Sequence, residues 1–77
     1  HLPSRPELLE YLEERLEGLK LQDNRVMFHY LDGKVDAEIY ITSNNQQANG
    51  LQLRCDDLVR NNEIFRGIRV YLSSAQN

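Results

Sequence analysis

The chain has 77 residues, of which 40% are hydrophobic and 27% charged, and its formal net charge at pH 7 is −3. A chain of this length forms one small domain and buries only about 60 to 65% of the surface that the unfolded chain exposes. Its single cysteine excludes an internal disulfide, which suits a reducing compartment. Acidic residues outnumber basic ones and no basic cluster occurs, so a nucleic-acid partner is disfavoured. No apolar run approaches the roughly 18 residues that span a bilayer.

A first helix is predicted over residues 4–19. Ser4 can cap its N-terminus, and Glu7, three residues later, can complete a capping box. Leucines recur at helical spacing and form one apolar stripe: Leu8, Leu9, Leu12, Leu16 and Leu19. Four glutamates fall largely elsewhere, as on a solvated face: Glu10, Glu13, Glu14 and Glu17. Gly18 and the polar cluster at residues 22–24 are expected to end the helix.

A β-hairpin is predicted over residues 25–42, because Asp32 and Gly33 separate two apolar-rich runs. A two-residue turn places Leu31 opposite Lys34, and the remaining pairs follow from this one. One face then carries Val26, Phe28, Tyr30, Val35, Ala37, Ile39 and Ile41, and it is expected to lie beneath the helices. The other face carries Met27, His29, Leu31, Lys34, Asp36, Glu38 and Tyr40. A slip of one residue would bury three ionisable side chains, so the register is well specified.

The rest of the chain predicts a second helix over residues 46–61, a strand over 64–72 and a tail at 73–77. The helix is indicated by the spacing of Ala48, Leu51, Cys55, Leu58 and Val59, although alternation at residues 51–55 leaves a strand as the alternative. On the last strand, Ile64, Ile68, Val70 and Leu72 are expected to point inward, and Phe65, Arg69 and Tyr71 outward. The expected fold class is therefore α+β in the order α-β-β-α-β, with a three-stranded sheet and both helices on one face.

The common enzymatic motifs are missing from the sequence, so we expect no catalysis. There is no phosphate-binding glycine loop, no GxSxG elbow, no HExxH motif and no cysteine pair with metal spacing. A nucleophilic pair of Cys55 and His29 is disfavoured, because Cys55 falls on the apolar stripe of the second helix. A cysteine in such a position usually behaves as a small inert hydrophobe.

A group of metal-ligating residue types falls on the outward face of the hairpin. His29 lies opposite Asp36, and Glu38 follows two residues later on the same side. One imidazole and two carboxylates can hold zinc or another divalent cation if a fourth ligand or water completes the shell. The alternative is an exposed imidazole–carboxylate pair, which stabilises a protein by at most about 1 kcal/mol.

The same outward face is expected to carry a large apolar surface, formed by Met27, Leu31, Tyr40, Phe65 and Tyr71. A small monomer rarely leaves so much apolar surface open, so the pattern favours self-association. Aromatic side chains on an open sheet can also stack bases, as in RNA-binding sheets. Basic residues are too sparse here to make that the better interpretation.

Three segments carry a resemblance to a known family. Residues 26–31 followed by Gly33 match its first strand and turn, residues 35–39 match a second strand that often reads Val-Asp-x-His-Ile, and residues 64–72 match its last strand. Together with the α-β-β-α-β order, they resemble the C-terminal cytoplasmic domain of cation diffusion facilitator transporters, which are membrane antiporters that export divalent metals. The resemblance covers nearly the whole chain.

The resemblance implies a ferredoxin-like or metallochaperone-like open-faced sandwich that forms a homodimer on the cytoplasmic side of a membrane. The domain would regulate divalent cation efflux, possess no catalytic activity, and follow transmembrane helices that precede residue 1. Two positions and one segment depart from the family pattern. Glu38 and Asn49 stand where many members carry histidines, and residues 70–73 replace a terminal His-x-Asp-Pro. A ferredoxin-like protein-interaction domain with no metal role is the alternative.

Overall fold

The computed structural model describes residues 2–21 and 24–74. Its elements are α1 (Arg5–Arg15), β1 (Arg25–Leu31), β2 (Lys34–Thr42), a 3₁₀ turn (Gln46–Ala48), α2 (Leu51–Arg60) and β3 (Phe65–Ser73). This order confirms the predicted α+β class and is consistent with a ferredoxin-like open sandwich. Three parts of the predictions lie outside the described residues: most of the tail (75–77), the 22–23 part of the polar cluster, and residue 1.

The three strands form a mixed sheet in the order β1-β2-β3, with β1 and β2 antiparallel and β2 and β3 parallel. The hairpin register is the predicted one, since Leu31 lies opposite Lys34. Asp32 and Gly33 have φ values of +53° and +77°. Positive φ at both central residues is what a type I′ turn requires, and its twist matches that of the flanking strands.

Helix α1 begins as predicted and ends earlier. Ser4 Oγ accepts a hydrogen bond from the Glu7 backbone N–H, and Glu7 Oε1 accepts one from the Ser4 backbone N–H, so the capping box is present. The helix ends at Arg15 rather than at residue 19, because Leu16 has non-helical dihedral angles and Gly18 has a φ of +83°. The leucines beyond the helix are nevertheless buried: Leu16, Leu19 and Leu21.

The predicted second helix is divided in two by Gly50, which adopts a φ of +73°. The 3₁₀ turn lies before this glycine and α2 after it. The helix rather than the alternative strand is therefore confirmed over residues 51–55. Leu51 and Cys55 on its inner side are fully buried.

The hydrophobic core lies between the helices and one face of the sheet. Its buried members are Leu8, Leu12, Leu16, Leu19, Leu21, Val26, Val35, Ala37, Ile39, Ile41, Leu51, Cys55, Phe65 and Ile68. Among residues 2–21 and 24–74, no polar or charged residue is buried. The apolar face predicted for the hairpin thus supplies five of the core residues.

The prediction that Phe65 points outward was wrong. Val35 pairs with Phe65 but Asp36 pairs with Gly67, so Arg66 is an extra residue that forms a β-bulge. The bulge shifts the alternation by one residue and turns Phe65 inward. Phe65 is only 3% exposed, with its ring centroid 6.0 Å from that of Tyr11.

Two residues predicted to lie beneath the helices remain exposed. Leu72, near the end of β3, is 58% exposed, and Tyr30, near the end of β1, is 47% exposed. Each is the last residue but one of its strand. The Tyr30 hydroxyl donates a hydrogen bond to the backbone oxygen of Pro3 at 3.1 Å, so this part of β1 contacts the chain before α1.

Candidate functional site

The candidate site is the face of the sheet turned away from the helices, which we call the open face. It carries alternate residues of the three strands: Met27, His29, Leu31, Lys34, Asp36, Glu38, Tyr40, Gly67, Arg69 and Tyr71. Of the five residues predicted to form an interface, four lie on this face and Phe65 does not. Met27, Leu31 and Tyr71 are 45%, 49% and 42% exposed.

Two tyrosines stack at one end of the open face. Tyr40 and Tyr71 are register partners on β2 and β3, with ring centroids 5.0 Å apart and planes inclined by 15°. The Arg25 guanidinium lies 4.7 Å from the Tyr40 ring centroid, within the range of a cation–π interaction. Partial burial, with the charge and hydrogen bond of Glu38, raises the pKa of Tyr40, so its hydroxyl stays protonated. The parallel pairing of β2 with β3 brings these rings together, and no local sequence signal predicts that register.

Glu38 accepts two hydrogen bonds near the centre of the open face. His29 Nε2 lies 3.2 Å from Glu38 Oε1, and the Tyr40 hydroxyl donates to the same oxygen at 3.3 Å. The His29 side chain is 52% exposed and the Glu38 side chain 28%. The predicted proximity of an imidazole and a carboxylate is therefore present. His29 contacts Glu38, its diagonal neighbour on β2, rather than Asp36, the residue directly opposite it.

Asp36 forms an ion pair with Arg66 from the bulge in β3. Arg66 Nε donates to Asp36 Oδ1 at 3.2 Å, and Arg66 Nη2 donates to Asp36 Oδ2. These hydrogen bonds hold the pKa of Asp36 below its usual value. Sequence reasoning missed this partner, although the charged Arg66 falls between Ile64 and Ile68, two residues predicted to point inward, and so interrupts that apolar pattern. That interruption was the available signal of a bulge.

The structure divides the predicted metal ligands into two groups. His29 and Glu38 contact each other, whereas Asp36 contacts Arg66. Within the part of the chain that is described, no three His, Cys, Asp or Glu side chains are grouped so as to hold a metal ion. The metal site therefore stays a prediction, in which His29 and Glu38 are the nearest pair of ligands.

Cys55 and His29 lie on opposite sides of the sheet. Cys55 is fully buried on α2 in the hydrophobic core, whereas His29 belongs to the open face. Burial raises the pKa of the Cys55 thiol to about 11. A neutral, inaccessible thiol is a poor nucleophile, so the two residues do not form a reactive pair.

Comparison of the chain with protein-family models, curated proteins and solved structures found no match. Neither helix in residues 2–21 and 24–74 is long and apolar enough to cross a membrane. A function for the chain is therefore inferred from the open face, the fold and the resemblance carried by the sequence.

Proposed function

We propose that this chain is a non-catalytic regulatory domain of a divalent cation efflux transporter, in which two copies associate through the open face. The observation that carries this proposal is the exposure of Met27, Leu31 and Tyr71 on a surface that neither described helix covers. Burying these side chains against a second copy would stabilise the dimer by about 25 cal/mol for each Å² of apolar surface removed from water. A two-fold pair uses the same patch on both copies, so one face suffices.

The fold supports the transporter setting. The helix-strand-strand-helix-strand order and the position of the type I′ turn agree with what the resemblance to cation diffusion facilitator domains implies. In that setting the domain lies on the cytoplasmic side of the membrane. Transport itself belongs to the membrane-embedded part of the protein.

A divalent cation would bind at His29 and Glu38, the ligand pair of the open face. The two side chains share this face with the apolar residues, so a cation bound there lies at the proposed interface. It would regulate transport only if it bound one arrangement of the two copies better than another. Asp36 would have to leave Arg66 to join the same cation.

A protein-interaction domain without a metal role is the second candidate, and a specific observation favours it. Asp36 is engaged by Arg66 on both oxygens, and Glu38 already accepts from His29 and Tyr40. These polar groups of the open face are thus partnered by protein alone.

Sedimentation velocity over a concentration series tests the association. Leu31→Lys on the open face is expected to weaken the wild-type dimer at least about tenfold, which corresponds to 1.4 kcal/mol. Leu53→Lys is the matched control, because Leu53 is 74% exposed on α2 and lies off the open face. A wild-type chain that remains monomeric at millimolar concentration would rule out self-association through this face.

Zinc calorimetry together with histidine NMR tests the metal role. The wild type is expected to bind zinc with a shift of the His29 ring signals, and both His29→Gln and Glu38→Gln are expected to lose this binding. His29→Gln retains the histidine at residue 1, so a loss is specific to the open face. Unchanged binding in both variants contradicts the assignment, and no binding by the wild type leaves the second candidate.

The coding sequence upstream of residue 1 tests the transporter setting. It is expected to encode a series of apolar segments of about 20 residues each, the length that spans a bilayer. An upstream sequence without such segments would contradict the setting while leaving self-association intact.

A further inference from the structure

Strand β3 lies at an edge of the sheet, with β2 as its neighbour on one side. Half of the backbone groups of an edge strand point away from the sheet and form a template for another strand. The sequence from Ile68 to Leu72 is rich in β-branched and aromatic residues, which makes it well suited to such pairing. An edge of this composition needs protection from other chains.

The side chain of Gln52 occupies the outer edge of β3. Gln52 Nε2 donates to the backbone oxygen of Ile68 at 2.8 Å, and the Val70 backbone N–H donates to Gln52 Oε1 at 2.7 Å. A residue of a neighbouring parallel strand would make the same two hydrogen bonds, one on each side of Arg69. The side-chain amide therefore takes the place of one residue of a fourth strand, supplying one N–H donor and one C=O acceptor.

A neighbouring contact fixes the orientation of this amide. Gln52 Nε2 also donates to Asp56 Oδ1 at 2.9 Å, one turn further along α2. An ionised carboxylate can only accept hydrogen bonds, so Asp56 binds the Nε2 nitrogen of Gln52 and not its Oε1 oxygen. This contact fixes which way the amide is turned and keeps the nitrogen towards the Ile68 carbonyl. Both residues are held by a helix packed against the sheet.

The amide lies near the middle of the edge. The backbone groups bound by Gln52 show that the N–H and C=O of Ile68 and Val70 point away from β2, towards the free edge. By alternation along the strand, the backbone groups of Leu72 point the same way. The backbone oxygen of Ser73 points away from the free edge, since it accepts a hydrogen bond from the backbone N–H of Ser43, which follows β2. On the other side of Gln52, the bulge at Arg66 interrupts the strand. The free stretches on either side are therefore too short to pair.

We propose that Gln52 is an internal blocker of the β3 edge, which prevents a second copy of the chain from pairing with it edge to edge. A second copy is the relevant partner because residues 70–74 carry no charge, so two such segments can pair antiparallel without like-charge repulsion. Leu53 and Leu72, 74% and 58% exposed, line the same surface depression as Gln52 and Val70 and would become covered. The proposal does not depend on association through the open face.

Gln52→Leu tests the blocker in a chain that also carries Leu31→Lys, which weakens association through the open face. This chain is expected to be monomeric with Gln52 and dimeric at micromolar concentration with Gln52→Leu. Gln46→Leu is the matched control, because Gln46 is exposed and its side chain makes no hydrogen bond to another described residue. The control is expected to stay monomeric.

Hydrogen exchange at the Val70 amide distinguishes edge pairing from other association. In dilute Gln52→Leu the exchange is expected to be about tenfold faster than with Gln52, since the acceptor is lost. At high concentration it is expected to slow again, as a second copy supplies a new acceptor. Gln52→Met provides the same test should the leucine variant not fold. A folded variant that remains monomeric, or a dimer in which the Val70 amide still exchanges rapidly, would overturn the proposal.

Discussion

Arg66 donates hydrogen bonds to both carboxylate oxygens of Asp36, from the neighbouring strand of the sheet. The contact arises because Arg66 is the extra residue between the pairs Val35–Phe65 and Asp36–Gly67. One inserted residue thus sends Phe65 into the core and directs a guanidinium to the open face. Because Arg66 binds both oxygens of Asp36, this carboxylate is not grouped with His29 and Glu38, the other predicted metal ligands.

Arg66→Gln is expected to raise the pKa of Asp36 towards its ordinary value. The wild-type pKa is lowered chiefly by the Arg66 hydrogen bonds. A carboxyl group whose pKa is lower in the folded state stabilises the fold above its unfolded pKa, and this stabilisation is lost as the pH falls through the folded value. Carboxyl NMR titration measures the change. The Asp36 pKa should not move in Arg60→Gln, which removes a charge that pairs with Asp57 instead.

The hairpin was predictable in detail because its signals are local. An Asp-Gly pair selects one turn type, and the turn together with the alternation of side chains fixes every pair from Val26–Ile39 to Leu31–Lys34. The position of β3 is a different problem. Its parallel pairing with β2 joins residues about 30 positions apart in the chain, and one bulge changes which side chains face inward.

Phe65→Ala is expected to destabilise the domain by about 3 to 5 kcal/mol, because it leaves a cavity in the core. Tyr71→Ala is expected to cost about 1 kcal/mol or less, since it removes a cross-strand contact on an exposed surface. Urea denaturation measures both. Phe65→Leu serves as a milder variant, because a domain of this size has a free energy of unfolding of roughly 4 to 12 kcal/mol. Equal costs for the Phe65 and Tyr71 alanine variants would contradict the assignment of the two residues to opposite faces.

Gly33→Ala is expected to destabilise the domain by about 1 to 2 kcal/mol through backbone strain alone. Gly33 has a φ of +77°, which L-residues rarely adopt, and a Cβ there would meet no atom within 4 Å. Gly67→Ala is the control, because its backbone has no positive φ and its Cβ would lie in ordinary contact with Asp36 Oδ1 at 3.4 Å. Urea midpoints compare the two variants. A Gly33→Ala variant as stable as the wild type would show that the turn is not of the type described.

The candidate site was only partly predictable from the sequence, for the same reason as the fold. His29 and Glu38 share a face because both belong to the hairpin, whose register is local. Arg66 and the stacking of Tyr71 on Tyr40 depend on where β3 lies against β2. Gln52 reaches this strand from a helix, a contact that helical periodicity does not indicate.

The stability of the fold is expected to decrease between about pH 9 and pH 11 because of Cys55. Burial raises its pKa from 9.0 to about 11. A thiol whose pKa is raised by folding contributes stability below its unfolded pKa, and this contribution is lost as the pH rises towards the folded value. Cys55→Ala should show a smaller decrease than the wild type when urea midpoints are compared across the pH range, because Tyr40, whose pKa folding also raises, still contributes. A parallel decrease in both proteins would assign it to other groups, and rapid labelling of the native thiol at pH 8 would contradict its burial.

Arg66→Gln is expected to increase zinc affinity about tenfold or more, if the open face binds zinc as proposed. Once released from Arg66, Asp36 is available to zinc beside Glu38 and His29, the residue opposite it in the hairpin register. The site would then offer three protein ligands instead of two. Calorimetric titration of wild type and variant measures the gain. Removing a positive charge also favours any bound cation, and this effect must be separated from new ligation.

The double variant Arg66→Gln with Asp36→Asn makes that separation. If Asp36 becomes a ligand, the double variant should lose most of the gain, because an amide is a weaker zinc ligand than a carboxylate. A gain that persists in the double variant would come from charge alone and would exclude Asp36 from the site. An affinity unchanged by Arg66→Gln would mean that the ion pair does not compete with zinc, and His29 and Glu38 would then bind it without Asp36.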